Sequence, residues 1–314
     1  MHVSISTICM PHSTWRQAFA EAAAAGYEAV ELLMIPGWLH GEPDQIEPAA
    51  LREEAARHQL RVVAVHGGGL DGGADAAMDR DLAYLDRLAA FAAGAGVPLV
   101  NFNGGPTPVG ATDADRRAIA ARIGRGLRTA LPGLVRRGVR LTLENHFGYQ
   151  LQDSHDYAAL FAALGETPDV GVTIDTGHLT AAGVDAVGFV RRFARRVFHA
   201  HIKDHVGYQS VALGRGETDN AGVLASLRAA DYRGHVSIEI EPRDPENLPR
   251  YVREGLPYVR SLLDGKPSPP PPSPPTPSPA RWQTLASSAA GRIRRTTFTR
   301  PSPTRAVGLT QSAT

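Results

Sequence analysis

Residues 113–146 read DADRRAIAARIGRGLRTALPGLVRRGVRLTLENH, and the order of features in this stretch decides the fold. Asp113–Arg137 spaces Ala, Ile and Leu among arginines at helical intervals, which predicts a long helix. Gly138 follows, a residue free to take the left-handed conformation that ends a helix. Val139–Leu143 is a short run suited to a buried strand, and it stops at three polar residues, Glu144, Asn145 and His146. The unit is therefore helix, glycine, buried strand, polar end.

Outward from this unit the same order recurs. Strand-like runs lie at His2–Ser6, Glu28–Leu32, Arg61–Val65, Pro98–Phe102, Val170–Ile174, Val197–Ile202 and His235–Ile240. They are nearly continuous in apolar character rather than alternating, as strands covered on both faces are. Helical spacing fills Thr14–Ala25, Ala76–Ala93, Ala221–Ala230 and Pro245–Asp264, and Gly26, Gly96 and Gly234 stand where Gly138 stands. Eight strand–helix pairs over residues 1–264 predict a closed (β/α)8 TIM barrel more than a doubly wound open sheet. No GxGxxG follows the first strand, and the glycines after His66 lack fingerprint spacing.

In such a barrel, chemistry gathers at the carboxyl ends of the strands. Polar residues stand there in turn: Glu31; His66; Asn101 and Asn103; Glu144, Asn145 and His146; Asp175 and His178; His199, His201, Lys203 and Asp204; Glu239 and Glu241. Any one alone is explained by a loop cap or an arginine partner. Glu144, Asp175, His201 and Glu239 leave four consecutive strands, so their head groups are expected to meet. Three carboxylates and an imidazole make a hard, oxygen-rich set that suits Mn2+ or Mg2+ and tolerates Co2+, Fe2+ or Zn2+. Without one divalent metal ion, clustered carboxylates would repel and raise one another's pKa values. Glu241, two positions beyond Glu239, is the alternative ligand on that strand.

The segments LTLENH (141–146), VGVTIDTGHL (170–179), FHAHIKD (198–204), LGRGETDNAGVLASLRAADYRGHVSIEIEP (213–242) and ISTICMPHSTWRQAFAEAAAAGYEAVEL (5–32) resemble the sugar phosphate isomerase/epimerase superfamily, whose members share a xylose isomerase-like TIM barrel. The resemblance covers residues 1 to about 264. It implies that Glu144, Asp175, His201 and Glu239 bind the metal and that His178 touches substrate or a further metal. It also implies that Glu144 and Glu239, on opposite substrate faces, act as base and acid.

The expected activity is a metal-dependent isomerase or epimerase of a sugar or small keto-sugar, through an enediolate that the cation stabilises. His178, Lys203, His66 and Asn103 are the expected substrate contacts, with His12 on the pocket wall; pairing with Asp204 or a rim carboxylate is an equal reading for Lys203. Trp38 either stacks on substrate from a lid or packs on the barrel, and Gly214-Arg215-Gly216 either receives a phosphate or turns the chain. A dehydratase of a cyclic polyol or keto acid would begin with the same proton abstraction. An endonuclease IV-like nuclease would want histidines where Asn101 and Asn103 stand and an Asp-x-His element that IKDHVGYQS lacks. A non-catalytic sugar-binding barrel would have no need of the intact ligand quartet.

Composition bounds the rest. The 314 residues are 43% hydrophobic and 21% charged, enough for one large core. One cysteine, Cys9, excludes an intrachain disulfide and a cysteine-based zinc site, and a packing role is expected for it. MHVSISTICMPHSTW has neither a basic n-region nor an apolar h-region, and no apolar run reaches about 18 residues, so a cytoplasmic protein without a membrane span is expected. The net charge of +1 hides an asymmetry: from Lys266 onward there are seven basic residues and no acidic one, leaving 26 basic against 32 acidic, or −6, in the body. An acidic body argues against nucleic acid as a partner; a small-molecule sugar is expected, and a homo-oligomer stays open. Residues 265–314 begin with nine prolines in the thirteen positions 267–279, and a disordered tail is expected there.

Overall fold

A computed structural model of the chain describes residues 1–241 and 244–266. The strands are β1 (His2–Ser6), β2 (Ala29–Leu33), β3 (Arg61–Leu70), β4 (Leu99–Gly104), β5 (Arg140–Glu144), β6 (Val170–Asp175), β7 (Val197–Ile202), β8 (Asp204–Val206), β9 (Gln209–Val211) and β10 (His235–Ile238). Eight of them close a parallel barrel in the order β1-β10-β7-β6-β5-β4-β3-β2, while β8 and β9 form a separate antiparallel hairpin. The helices are α1 (Trp15–Ala24), α2 (Pro48–Arg57), α3 (Asp75–Ala95), α4 (Asp113–Arg137), α5 (Ser154–Leu164), α6 (Thr176–Ala181), α7 (Ala186–Phe193), α8 (Asn220–Ala229) and α9 (Leu248–Leu263). The chain is a TIM barrel, as its repeats predict. The disordered tail expected over residues 265–314 lies, from residue 267 on, outside the described residues.

Local signals set the element ends. Thr14 with Gln17, Thr112 with Asp115 and Asp153 with Asp156 form capping boxes at the starts of α1, α4 and α5. Gly96 and Gly138 end α3 and α4 in the left-handed conformation, at φ 73° and 67°. Gly234 does not play that part. Helix α8 is followed by Ala230, and Asp231 takes the positive φ of 58°. Gly234 is there for space, since a Cβ on it would lie 2.4 Å from the Tyr232 hydroxyl, which donates to the carbonyls of Phe198 and His235. Strand β3 also runs past its expected end through Gly67, Gly68 and Gly69. A Cβ on Gly67 would meet the Phe102 ring at 2.4 Å, so close packing accounts for that glycine.

The apolar core lies between barrel and helices, with Phe19, Leu88, Phe102 and Tyr157 fully enclosed. Cys9 belongs to it: its thiol donates to the Ile238 carbonyl and accepts from Ile240 N–H, and burial holds its pKa far above the usual thiol range. The lumen is different. Ser4 and Ser237 share a hydrogen bond of 2.7 Å across the β1–β10 seam, and Thr142 and Thr173 one of 2.9 Å across β5–β6. These pairs form a polar floor, and the charged residues stand above it. Among the described residues, no helix is long and apolar enough to cross a membrane.

Candidate metal centre

Glu144 is the last residue of β5, Asp175 the last of β6, His201 the fifth of β7, and Glu239 follows β10 directly. In-register pairing of Asp175 with His201, and of His201 with Ser237, aligns these strand ends. One ligand atom from each of the four comes within 4.8 Å of every other, and all four side chains are buried. His201 Nδ1 stands 3.0 Å from Glu144 Oε1, 3.1 Å from Glu239 Oε2 and 3.8 Å from Asp175 Oδ2. Asn145 brackets the third ligand, donating to the Asp175 carbonyl and accepting from Asp175 N–H, both at 2.9 Å. Asp175 Oδ1 caps α6 by accepting from His178 N–H at 2.7 Å.

A cation fits these residues by one specific test. Glu144 Oε2, Asp175 Oδ2 and Glu239 Oε2 are buried oxygens with no hydrogen-bond partner. Such an oxygen costs free energy unless a charge meets it. Lys203 lies 3.4 Å from Asp175 Oδ2 and His201 Nδ1 3.1 Å from Glu239 Oε2. Glu144 Oε2 has only neutral His66 at 3.5 Å, so the deficit a cation would meet is sharpest there. Burial pushes the Glu144 carboxyl up to about 8, with the Glu239 and Asp175 carboxylates adding to the rise against the pull of His201. Burial acts the same way on Glu239, but His201 and Lys203 overcome it and hold that carboxyl below its usual range. Burial would lower His201; the carboxylates of Glu239, Glu31 and Glu144 instead hold its pKa well above the usual value.

Lys203 lies among rim carboxylates, one of the two placements expected for it. Its ammonium is fully buried and lies 2.8 Å from Glu239 Oε1, 2.7 Å from Glu241 Oε2 and 3.3 Å from His178 Nε2. Those three partners engage its three N–H donors, which leaves the rim-carboxylate reading. Asp204 is not its partner: that carboxylate accepts from the N–H groups of His205, Gly214, Gly216 and Thr218. Gly214 and Gly216 N–H are therefore engaged within the loop and the two glycines turn the chain, while Arg215 Nε and Nη2 between them are buried without a hydrogen-bond partner.

His66 stands beside the cluster, Nε2 3.5 Å from Glu144 Oε2, with both ring nitrogens buried and unpartnered. Burial lowers its pKa to about 4, so the ring is neutral. His178 Nδ1 is likewise buried without a partner, and its ring stacks at 3.7 Å on His146, which stacks at 3.8 Å on Tyr149. Asn103 is not aimed at the cluster; its amide NH2 faces the carbonyls of Gly104 at 2.8 Å and Gly68 at 3.3 Å and braces the loops after β3 and β4. His12 is exposed. Trp38 stacks over buried His40 at 6.4 Å. Glu241 is 42% exposed and stays outside the four-residue group.

Two features had no role assigned from sequence. Glu31 and His199 stand at strand ends, yet their partnership with His201 needs the barrel's cross-section; the HAH alternation at 199–201 was the available signal, since residues two apart share a face. The other is the β8–β9 hairpin, whose exposed Tyr208 stacks on Phe147 at 4.7 Å and joins the loop after β5.

The closed barrel with its polar cluster at the strand ends belongs to the xylose isomerase-like TIM barrel family, whose model the chain matches over residues 19–262. Among curated relatives, inosose dehydratase of Mesomycoplasma hyopneumoniae is 27% identical over 149 residues, 40% of this chain and 49% of that protein. The matched stretches span between 35% and 51% of the length of the first curated relatives. Among solved structures, an IolI protein with a bound zinc atom superposes with a TM-score of 0.70 at 15% identity, over 83% of this chain and 98% of that one. An L-ribulose 3-epimerase superposes with a TM-score of 0.70 at 19% identity, over 84% and 95%. At these identities the structural likenesses establish the fold.

Proposed function

We propose that the protein is a divalent-metal-dependent isomerase or epimerase of a sugar or small keto-sugar, its metal held by Glu144, Asp175, His201 and Glu239. The observation that carries this is the gathering of Glu144, Asp175 and Glu239 around His201, one ligand atom of each within 4.8 Å of every other and one buried oxygen of each carboxylate without a hydrogen-bond partner. Mn2+ or Mg2+ suits the oxygen-rich set, and Zn2+ is supported by the zinc bound in the similar IolI protein. When bound, such a cation acts as a Lewis acid toward a substrate carbonyl and its neighbouring hydroxyl.

The two glutamates, from strands β5 and β10, divide the base and acid roles between them. Glu239, held ionised by His201 and Lys203, is the base that takes the proton from the carbon beside the carbonyl. Glu144, the second carboxyl of the cluster, is assigned to return a proton from the other side. His66 offers a neutral ring with one donor and one acceptor, and His178 a free Nδ1, to substrate hydroxyls. Lys203 keeps Glu239 charged rather than binding sugar.

A second reading, elimination of water on the same site, is favoured by the relatives named inosose dehydratase. Both readings are tested by replacing Glu144→Gln and Glu239→Gln, measuring bound metal, and screening free and phosphorylated ketoses and cyclic polyols. Turnover should fall about 10²–10⁴-fold in each variant. A dehydrated, conjugated product identifies the lyase. Full turnover after dialysis against a chelator, with neither variant impaired, rejects the metal enzyme altogether.

A further inference from the structure

Directly beneath the four-residue cluster lies a second group, Glu31, His199 and His201, equally buried and sharing His201 with the first. The two differ in what is left unsatisfied. In the upper group three carboxylate oxygens have no partner. In the lower group both oxygens of Glu31 are supplied: Oε1 accepts from Asn101 Nδ2 at 3.2 Å, and Oε2 faces His199 Nε2 at 3.1 Å and His201 Nε2 at 2.8 Å. Asn101 is itself fixed, its Oδ1 accepting from Thr173 Oγ1 at 3.1 Å. With His199 and His201 each carrying a proton on Nε2, this carboxylate is furnished with N–H donors and needs no cation, so the lower group supports the upper one instead of holding a second ion.

We propose that Glu31 is a positioning residue that accepts a hydrogen bond from His201 Nε2–H and thereby commits Nδ1 to the metal. Resting on the proposed metal site, this assigns what fixes its one nitrogen ligand. A neutral imidazole carries one N–H, and the nitrogen without it is the ligand; the partner of the other nitrogen decides which is which. Nδ1 is the nitrogen that faces Glu144 and Glu239, so only the Nε2–H tautomer presents a lone pair to the cluster. His199 and Asn101 complete the arrangement by holding the carboxylate of Glu31 in place. Loss of such a partner costs about 10–100-fold in metal affinity.

The test uses the full chain, freed of metal and titrated with Zn2+ against a competing chelator, as wild type, Glu31→Gln and Glu31→Ala. Affinity should fall about 10–100-fold in Glu31→Ala and less in Glu31→Gln, whose amide oxygen still accepts one N–H. Circular dichroism confirms folding, and the isosteric Glu31→Gln carries the test if the alanine variant does not fold. Histidine 15N spectra of the zinc-loaded wild type, assigned with His201→Asn, should show Nε2 protonated and Nδ1 bound. Wild-type affinity in both variants, a protonated Nδ1, or a second zinc lost with Glu31 overturns the positioning role while leaving the metal site standing. A wild type that takes up no zinc overturns both.

Discussion

Replacing Lys203→Met removes one buried positive charge while keeping nearly the same bulk. The ammonium stands 2.8 Å from Glu239 Oε1 and 3.4 Å from Asp175 Oδ2, all three side chains being enclosed, and 2.7 Å from the partly exposed Glu241. At an effective dielectric of about 20, the 2.8 Å contact alone amounts to roughly 6 kcal/mol. The lysine's own desolvation offsets part of that, and the Glu241 contact is screened by solvent, so the net loss is about 3–5 kcal/mol. In a domain of this size that lowers the melting temperature by roughly 6–20 °C. The same substitution deprives Glu239 and Asp175 of their compensating charge, so a divalent cation should bind the variant more tightly and restore much of the loss. Urea denaturation followed by circular dichroism, with and without added Zn2+, measures both effects. A metal-free variant as stable as the wild type, or a loss that zinc leaves untouched, refutes the compensation.

Three further outcomes are expected. Metal affinity should weaken as pH falls below about 8, about tenfold per unit for each proton displaced, because a cation must expel protons held by Glu144 and His201; chelator competition from pH 6 to 9 reads the slope, and a flat profile counts against the cluster. Gly124→Ala should cost about 1–3 kcal/mol in thermal melts, since its Cβ would stand 2.3 Å from the Leu160 carbonyl oxygen where α4 meets α5. Asp204→Ala should speed hydrogen exchange at Gly214, Gly216 and Thr218, whose N–H groups it accepts, with little change at β-barrel amides; unchanged protection there would remove the loop-organising role.

The barrel was legible because each strand is flanked by its own punctuation. Helix α4 and strands β1 and β7 fall where the residue pattern puts them, since Gly138 and the abrupt polar ends leave little choice of boundary. The four-residue cluster was legible for a related reason: strand ends are readable, and a closed parallel barrel brings neighbouring ends together. Partnerships across the lumen were not. Whether Lys203 meets Glu239 and Glu241 or Asp204 depends on a turn of backbone that starts a hairpin of three-residue strands, too short to leave a period. For Asn103 the position at a strand end is readable, but the contacts of its amide with the carbonyls of Gly104 and Gly68 depend on the path of the loops and leave no mark in the sequence. Gly234 misled because a glycine before a strand can serve sterics as well as capping.

The strand that delivers Glu239 is also the one that shuts the cylinder, with Ser237 reaching Ser4 across 233 positions of chain. A ribosome therefore releases Glu144, Asp175 and His201 well before the fourth contributor, and the nascent cradle stays open on one side until the final seam zips. With a cation held as proposed, its capture would act as a latch on completed synthesis, since products truncated before residue 239 lack both the seam and the fourth ligand.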